Sequence, residues 1–420
     1  MTDVTLILHA RATFSSNRPS HYRRAAPHAL RILTAACALH ALPVVAAPAD
    51  EVPEEGFVVN LGQSVRWEDN LFRLPDGESP PDGGSRSDRV SRSSAGLGFR
   101  HTYGLQRIAA GVEVAHRSYA EHDELDATTR SASGRWDWAA GKQWTGTATL
   151  LQRQAPRSFD DTDQRIRSIN TLRRGGVDAN YWWHPDWSLL AGAERTRSRF
   201  SDDRSAASEY DETAFEAGVG FRPKSGNRLS LVARRAHGDY PNRTPSATID
   251  SGYEQRDLRL RGEWALTGIS KLSGYLGYTS REYEHVNSLD FDGPTGRVAF
   301  DWVPTGKLSF QFVARREIGS EYEVIDNYVV TRGLGVEGRW AATDKIGVRA
   351  RAEQLWRDRG NVGVTALDDD RTRLYGLSVD YAPLRTLTIS ASAQRAQRSA
   401  AGRASDYSAD LYGLDARLEF

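Results

Sequence analysis

The sequence predicts an all-β chain: a transmembrane antiparallel β-barrel of about 18 strands, with short periplasmic turns and long extracellular loops. Three observations predict it. Apolar and polar residues alternate from Phe57 to Phe420, short turns alternate with longer polar connections, and aromatic residues crowd the short-turn side.

The alternation is sustained. Leu414, Ala416, Leu418 and Phe420 fall on one face, and Asp415, Arg417 and Glu419 on the other. Leu387, Ile389, Ala391 and Ala393 oppose Thr388, Ser390, Ser392 and Gln394, and Leu258 and Leu260 oppose Arg259 and Arg261. A period of two is the mark of a strand. The runs are roughly 10–14 residues long, whereas strands of a soluble sandwich are usually about 5–6. Mean hydropathy is −0.57, and no stretch after about residue 50 is apolar enough for a membrane helix. A membrane barrel passes the same test, because only every second residue faces lipid.

The connections follow the same plan. Short turns occur near Gly104-Leu105, Gly141-Lys142, His184-Pro185-Asp186, Lys224-Ser225-Gly226-Asn227, Thr267-Gly268, Pro304-Thr305-Gly306, Thr343-Asp344 and Pro383-Leu384. Between them lie longer polar segments: Pro75–Asp88, Pro156–Arg167, Ser201–Glu209, Pro241–Gly252 and Gly360–Asp370. An even strand count places both barrel ends in the periplasm. Trp138, Trp144, Trp183, Trp187, Trp264, Trp302, Trp340 and Tyr381 stand near the short turns. Such rings have an apolar body and a polar handle, which suits the lipid–water boundary. A looser second girdle is expected on the loop side from Phe72, Tyr119, Phe200, Tyr240, Tyr283, Tyr322 and Trp356. The lysines, Lys142, Lys224, Lys271, Lys307 and Lys345, all sit at or beside short turns; the other basic residues are arginine.

Upstream, Arg23, Arg24 and Arg31 precede an apolar run from Ile32 to Ala46, followed by Ala47 and Ala49. A positive start, a short apolar middle and a small-residue exit form a secretory signal. Residues 1–49 therefore read as a signal peptide with an extended or misassigned start, 50–56 as a short periplasmic segment, and 57–420 as the barrel. The single cysteine, Cys37, falls in the signal, so the mature chain has no thiol for a disulfide, a nucleophile or a thiolate metal site. Lys+Arg and Asp+Glu are both 55, which gives no electrostatic reason to expect nucleic acid.

Catalytic, cofactor and metal sites are not expected. His101, His116, His122, His184, His237 and His285 are scattered, and there is no Gly-x-Ser-x-Gly elbow or paired histidine at helical spacing. Asp368-Asp369-Asp370 reads as an acidic loop tip in solvent. Strands begin too soon after the signal for a plug domain. The candidate site is the lumen, which at this strand number can hold an aqueous channel. Its inward face is expected to include Arg135, Asp137, Arg259, Arg261, Glu263, Arg297, Asp301, Glu337, Arg339, Arg349, Arg351 and Glu353. Both signs recur on neighbouring strands, so these groups pair across strands and line a polar, charge-balanced conduit.

Asp69-Asn70-Leu71-Phe72-Arg73, followed by Leu74, lies at the end of the first strand. This segment resembles the EpsL-type outer-membrane barrels of exosortase-associated exopolysaccharide operons, which are related to the β-barrel porin 2 group. The resemblance implies export of extracellular polysaccharide with periplasmic export components as partners, and supplies no catalytic residues. The alternative is a general or sugar-selective diffusion porin, and a third reading is an outer-membrane enzyme or adhesin. Outer-membrane lipid is a further expected partner. So is the barrel-assembly machinery, for which the terminal aromatic Phe420 resembles the recognition signal.

Overall fold

The computed structural model describes residues 55–80, 83–161, 165–319, 328–360, 370–400 and 406–420. The expected signal peptide, Tyr322, Asp368 and Asp369 lie outside them. The described residues form eighteen strands. They are β1 (Gly56–Glu68), β2 (Asp88–Tyr103), β3 (Gln106–Tyr119), β4 (Ala127–Ala140), β5 (Trp144–Pro156) and β6 (Ile169–His184). Next come β7 (Trp187–Phe200), β8 (Tyr210–Phe221), β9 (Arg228–Asp239), β10 (Gly252–Thr267), β11 (Ser270–Tyr283) and β12 (Phe291–Thr305). The last six are β13 (Leu308–Gly319), β14 (Tyr328–Ala341), β15 (Ile346–Gly360), β16 (Asp370–Leu384), β17 (Leu387–Ala400) and β18 (Tyr407–Glu419).

Each strand pairs antiparallel with its neighbour in sequence, as at Leu260↔Leu276 between β10 and β11. β1 then pairs with β18, placing Leu61 opposite Leu418 and Val65 opposite Leu414. The seam ends where Val59 and Phe420 exchange backbone hydrogen bonds of 2.9 Å in both directions. A closed sheet has no edge, so every strand finds its ladder inside the chain.

Parity decides the two faces. Leu150, Phe215, Leu276 and Leu414 are between 58% and 70% exposed on the outside, whereas Arg259, Arg261 and Arg349 on the inside are 4–5% exposed. An apolar exterior around a charged interior inverts a soluble protein and suits lipid. Near the short turns Trp144, Trp183, Trp187, Trp302, Trp340 and Tyr381 face outward and are exposed, drawing the expected girdle. The chain is an outer-membrane β-barrel.

The second girdle is not lipid-facing. Phe72, Tyr240 and Tyr283 are buried, Tyr119 packs beside Phe72, and Phe200 falls on the inward parity of β7 under the Arg157 guanidinium. Of that set, Trp356 faces outward among the described residues, with the Arg371 guanidinium against its ring. Composition suggested a ring of aromatics; the two-residue period turns most of them into the lumen.

Candidate functional site

The inward side chains form charged rungs. On β4, Arg135 Nε donates to Asp137 Oδ2 at 2.7 Å, and Thr147 of β5 donates to the same carboxylate at 2.9 Å. On β10, Arg259 pairs with Asp257 at 3.1 Å, and Arg261 grips both oxygens of Glu216 on β8 at 3.0 and 2.7 Å. Glu263 accepts from Lys271 at 2.8 Å beside the short turn. Arg297 stands 3.8 Å from Glu317, and Asp301 accepts from Gln311 at 2.7 Å. Arg339 donates to Glu337 at 2.6 Å, and Arg349 lies 3.7 Å from both Glu337 and Asp380. Glu353 takes Arg351 from its own strand and Arg315 from β13 at 2.7 Å. By strand parity these residues share the inner side; seven of them pair within the set, and Arg259, Arg261, Glu263, Arg297 and Asp301 pair instead with Asp257, Glu216, Lys271, Glu317 and Gln311. Arg259, Arg261 and Arg349 among them are buried by their neighbours.

The loop end of the barrel is more elaborate than polar composition suggested. β1 stops at Glu68, so Asp69–Arg73 begins the connection to β2 and does not end the first strand. Asp69 N–H donates to Asp410 O at 3.2 Å, and its Oδ1 accepts from Asp410 N–H at 2.7 Å. The Asn70 side chain then donates to Ser408 O at 2.9 Å and to Leu74 O at 2.8 Å, and accepts from Leu74 N–H at 2.9 Å. This tight turn takes Arg73 to φ 55°, the one positive value for a non-glycine among the described residues. Leu71, Phe72 and Leu74 are thereby buried against Leu125, with Phe159 packed on them.

Phe159 belongs to the β5–β6 connection, and the residue after it ties that loop across the mouth. Asp160 Oδ1 accepts from Arg73 Nε at 3.1 Å and from the Tyr407 hydroxyl, while Asp160 O accepts from Arg398 at 2.7 Å. Tyr407 and Arg398 are inward residues of β18 and β17. Burial alone would lower the Arg73 pKa; the adjoining Glu68 and Asp160 carboxylates hold it above its ordinary value. Asp370, expected in a solvated acidic tip, is instead buried at the start of β16 and accepts from Arg357 at 3.0 Å and Arg398 at 3.3 Å.

The opposite wall carries a tyrosine cluster. Tyr210, Tyr240, Tyr253 and Tyr283 are buried with Val286 and Leu289, and successive ring centroids are 6.2, 6.3 and 6.1 Å apart. Gly238 permits this packing, since a Cβ there would come within 2.3 Å of the Tyr253 ring. The Arg243 and Arg281 guanidiniums stack on Tyr240 and Tyr253 at 3.8 and 4.0 Å, a favourable cation–ring geometry. Asp250 joins the two loops above: it accepts from Gly252 N–H at 3.2 Å, His285 N–H at 2.7 Å and Val286 N–H at 2.9 Å.

The histidines lie apart. His116 and His237 face outward on β3 and β9, hydrogen-bonded to Thr128 at 3.0 Å and Glu254 at 3.0 Å respectively. One exposed trio among the described residues, His237, Asp239 and Glu284, brings possible ligand atoms within 4.8 Å of one another. Sequence reasoning missed Asp160, Arg398, Tyr407 and the Asp250 junction. The available signal was Phe159, an apolar ring inside the Pro156–Arg167 segment read as a polar loop.

No family model matches the chain, and no curated relative matches it. Among solved structures the chain is similar to the outer-membrane protein OpdK of Pseudomonas aeruginosa, at 12% identity and a TM-score of 0.47 over 87% of this chain and 99% of that one. It is similar to OccAB3 of Acinetobacter baumannii at 11% identity and a TM-score of 0.48, over 89% and 100%. A BenF-like porin from Pseudomonas fluorescens Pf-5 gives 11% identity and a TM-score of 0.47, over 87% and 99%.

Proposed function

We propose that the barrel is a passive diffusion channel for small hydrophilic solutes, sugars among them. The observation that carries this reading is the tie at Asp160. A loop fastened across the mouth to β17, β18 and the β1 connection narrows the passage, and a polymer needs a clear bore along its whole length. The rungs below act in the same direction, because paired Arg and carboxylate side chains occupy the wall and present both signs. Selection in such a bore falls on size and hydrogen bonding more than on net charge. Arg135, Asp137, Arg259, Arg261, Glu263, Arg297, Asp301, Glu337, Arg339, Arg349, Arg351 and Glu353 are the proposed lining.

Export of polysaccharide rests on the Asp69–Arg73 resemblance, and each member of that segment has a structural task in the seam or the mouth. The two readings separate in one experiment. A deletion strain should take up small sugars more slowly at limiting concentration while secreting normal polymer, and the purified barrel should conduct ions in a planar bilayer. Unchanged uptake with lost polymer would reject the diffusion channel in favour of export.

A further inference from the structure

On the outer wall, where β9, β10 and β11 run out into their loops, three residues from separate parts of the chain converge. His237 and Asp239 project outward at the end of β9, and Glu284 follows the last residue of β11. Possible ligand atoms of the three lie within 4.8 Å of one another, and all three residues are exposed. β10 runs between them and contributes Gly252 at that level. Gly252 is the cross-strand partner of Asp239, and its carbonyl accepts from Glu284 N–H at 3.4 Å. A Cβ on Gly252 would stand 2.8 Å from Glu284 Cδ. The glycine therefore leaves open the space in which the carboxylates of Asp239 and Glu284 meet.

The contacts of the ring call for a cation beside it. His237 Nδ1 is 3.0 Å from Glu254 Oε1, and its Nε2 is 3.1 Å from Asp239 Oδ1. A neutral imidazole carries one N–H, so it can donate to only one of two carboxylates. Arg235 favours the first: its Nε donates to the other oxygen of Glu254 at 2.8 Å and holds that carboxylate charged and in place. With the proton on Nδ1, Nε2 turns a lone pair toward Asp239. Glu284 brings a second negative charge to the same spot, and among the described residues neither Asp239 nor Glu284 pairs with a Lys or Arg. A lone pair and two carboxylates facing one another repel unless a positive charge sits between them.

We propose that His237 Nε2, Asp239 and Glu284 bind a divalent transition-metal cation, with zinc the ion this donor set suits. Zinc takes imidazole nitrogen and carboxylate oxygen at roughly 2.0–2.2 Å, and the exposed side chains draw in to that distance by rotamer changes alone. Three protein ligands leave a fourth position for water. Calcium and magnesium favour oxygen donors throughout, and the imidazole disfavours them here. Glu254 is a positioning residue: a carboxylate on the far nitrogen of a ligating histidine fixes the tautomer and the ring plane. The bound ion ties the end of β9 to the end of β11 across β10, beside the two loops that Asp250 joins. The inference is independent of what passes through the lumen.

The test uses the folded full-length barrel in neutral detergent, without an affinity tag and stripped by chelator, titrated with zinc chloride in a calorimeter. The parent should bind a single zinc ion saturably, and calcium at equal concentration should not displace it. His237→Ala and Glu284→Gln should each abolish that binding or nearly so. Glu254→Gln keeps all three ligands and should weaken it roughly tenfold. His116→Ala, which removes another outward histidine bonded to Thr128, should bind as the parent does. Migration of the unboiled band reports whether each variant has folded, and Asp239→Asn replaces any ligand variant that has not. Absence of saturable binding by the parent would overturn the proposal and leave a protonated His237 as the local cation. Equal binding by parent and Glu284→Gln, or displacement by calcium, would overturn it too, the former reducing the site to a lone surface histidine.

Discussion

Asp160 is one carboxylate with a backbone carbonyl beside it, and between them they hold Arg73, Tyr407 and Arg398. Asp160→Ala should release the β5–β6 loop from the mouth, raise single-channel conductance and add current noise, while the closed strand ladder still forms and keeps the β-type circular dichroism. Equal conductance in parent and variant would remove the loop as the constriction. The rungs behave differently. Glu216→Ala leaves Arg261 buried without its carboxylate, and breaking a buried pair from one side costs about 3–5 kcal/mol; urea titration of the folded barrel in vesicles should report it. Asp250 supplies the pH dependence. Burial pushes its pKa up, but the N–H groups of His285, Gly252 and Val286 outweigh this and hold it below its ordinary value. Its stabilisation is therefore complete above the unfolded carboxylate pKa and lost as pH falls through the lower folded value. Protease nicking of the β9–β10 loop should accordingly increase in strong acid, and Asp250→Ala should show high nicking already at neutral pH. Residues such as Arg259 and Arg349 were legible beforehand because parity alone assigns them a face. Asp160 was not, because a loop has no period from which to read direction.

At the scale of the strand, the two faces call for opposite responses to one kind of change. Leu260 is half-exposed on the outside of β10 between two inward arginines. Leu260→Arg sets a charge in hydrocarbon, which costs about 2–4 kcal/mol near the midplane, and should lower the yield of folded barrel. Arg351→Ala, on the inner face and with a side chain 31% exposed, should instead change solute selectivity per folded barrel while leaving yield closer to normal. Quantitative immunoblots beside flux measurements distinguish the two; equal losses of yield would mean that the faces are misassigned. The strands were readable because lipid outside and charge inside impose a clean alternation. The loop-side aromatics were misread for a related reason. Composition places Tyr240, Tyr283 and Phe72 at the right height, but only register and the folding-in of loops decide whether a ring meets lipid or its neighbours.

For the whole barrel, closure predicts heat modifiability: the unboiled protein should migrate faster than the boiled one and give a β-type circular dichroism spectrum, since no strand has an edge from which to fray. Identical mobilities together with a helical spectrum would contradict the closed sheet. Closure also orders events in time. Seventeen of the pairings join strands adjacent in sequence, as β10 with β11, and each can zip as a local hairpin. Only β1 with β18 unites the two ends, and bringing distant chain segments together carries the largest loop entropy and the slowest step. Asp69 and Asn70 carry that seam beyond its last rung by bonding to Asp410 and Ser408, so they act on the step that completes the cylinder. Asp69→Ala with Asn70→Ala should slow the appearance of the protease-resistant form in a pulse-chase, leaving a longer-lived open sheet whose hairpins have already formed.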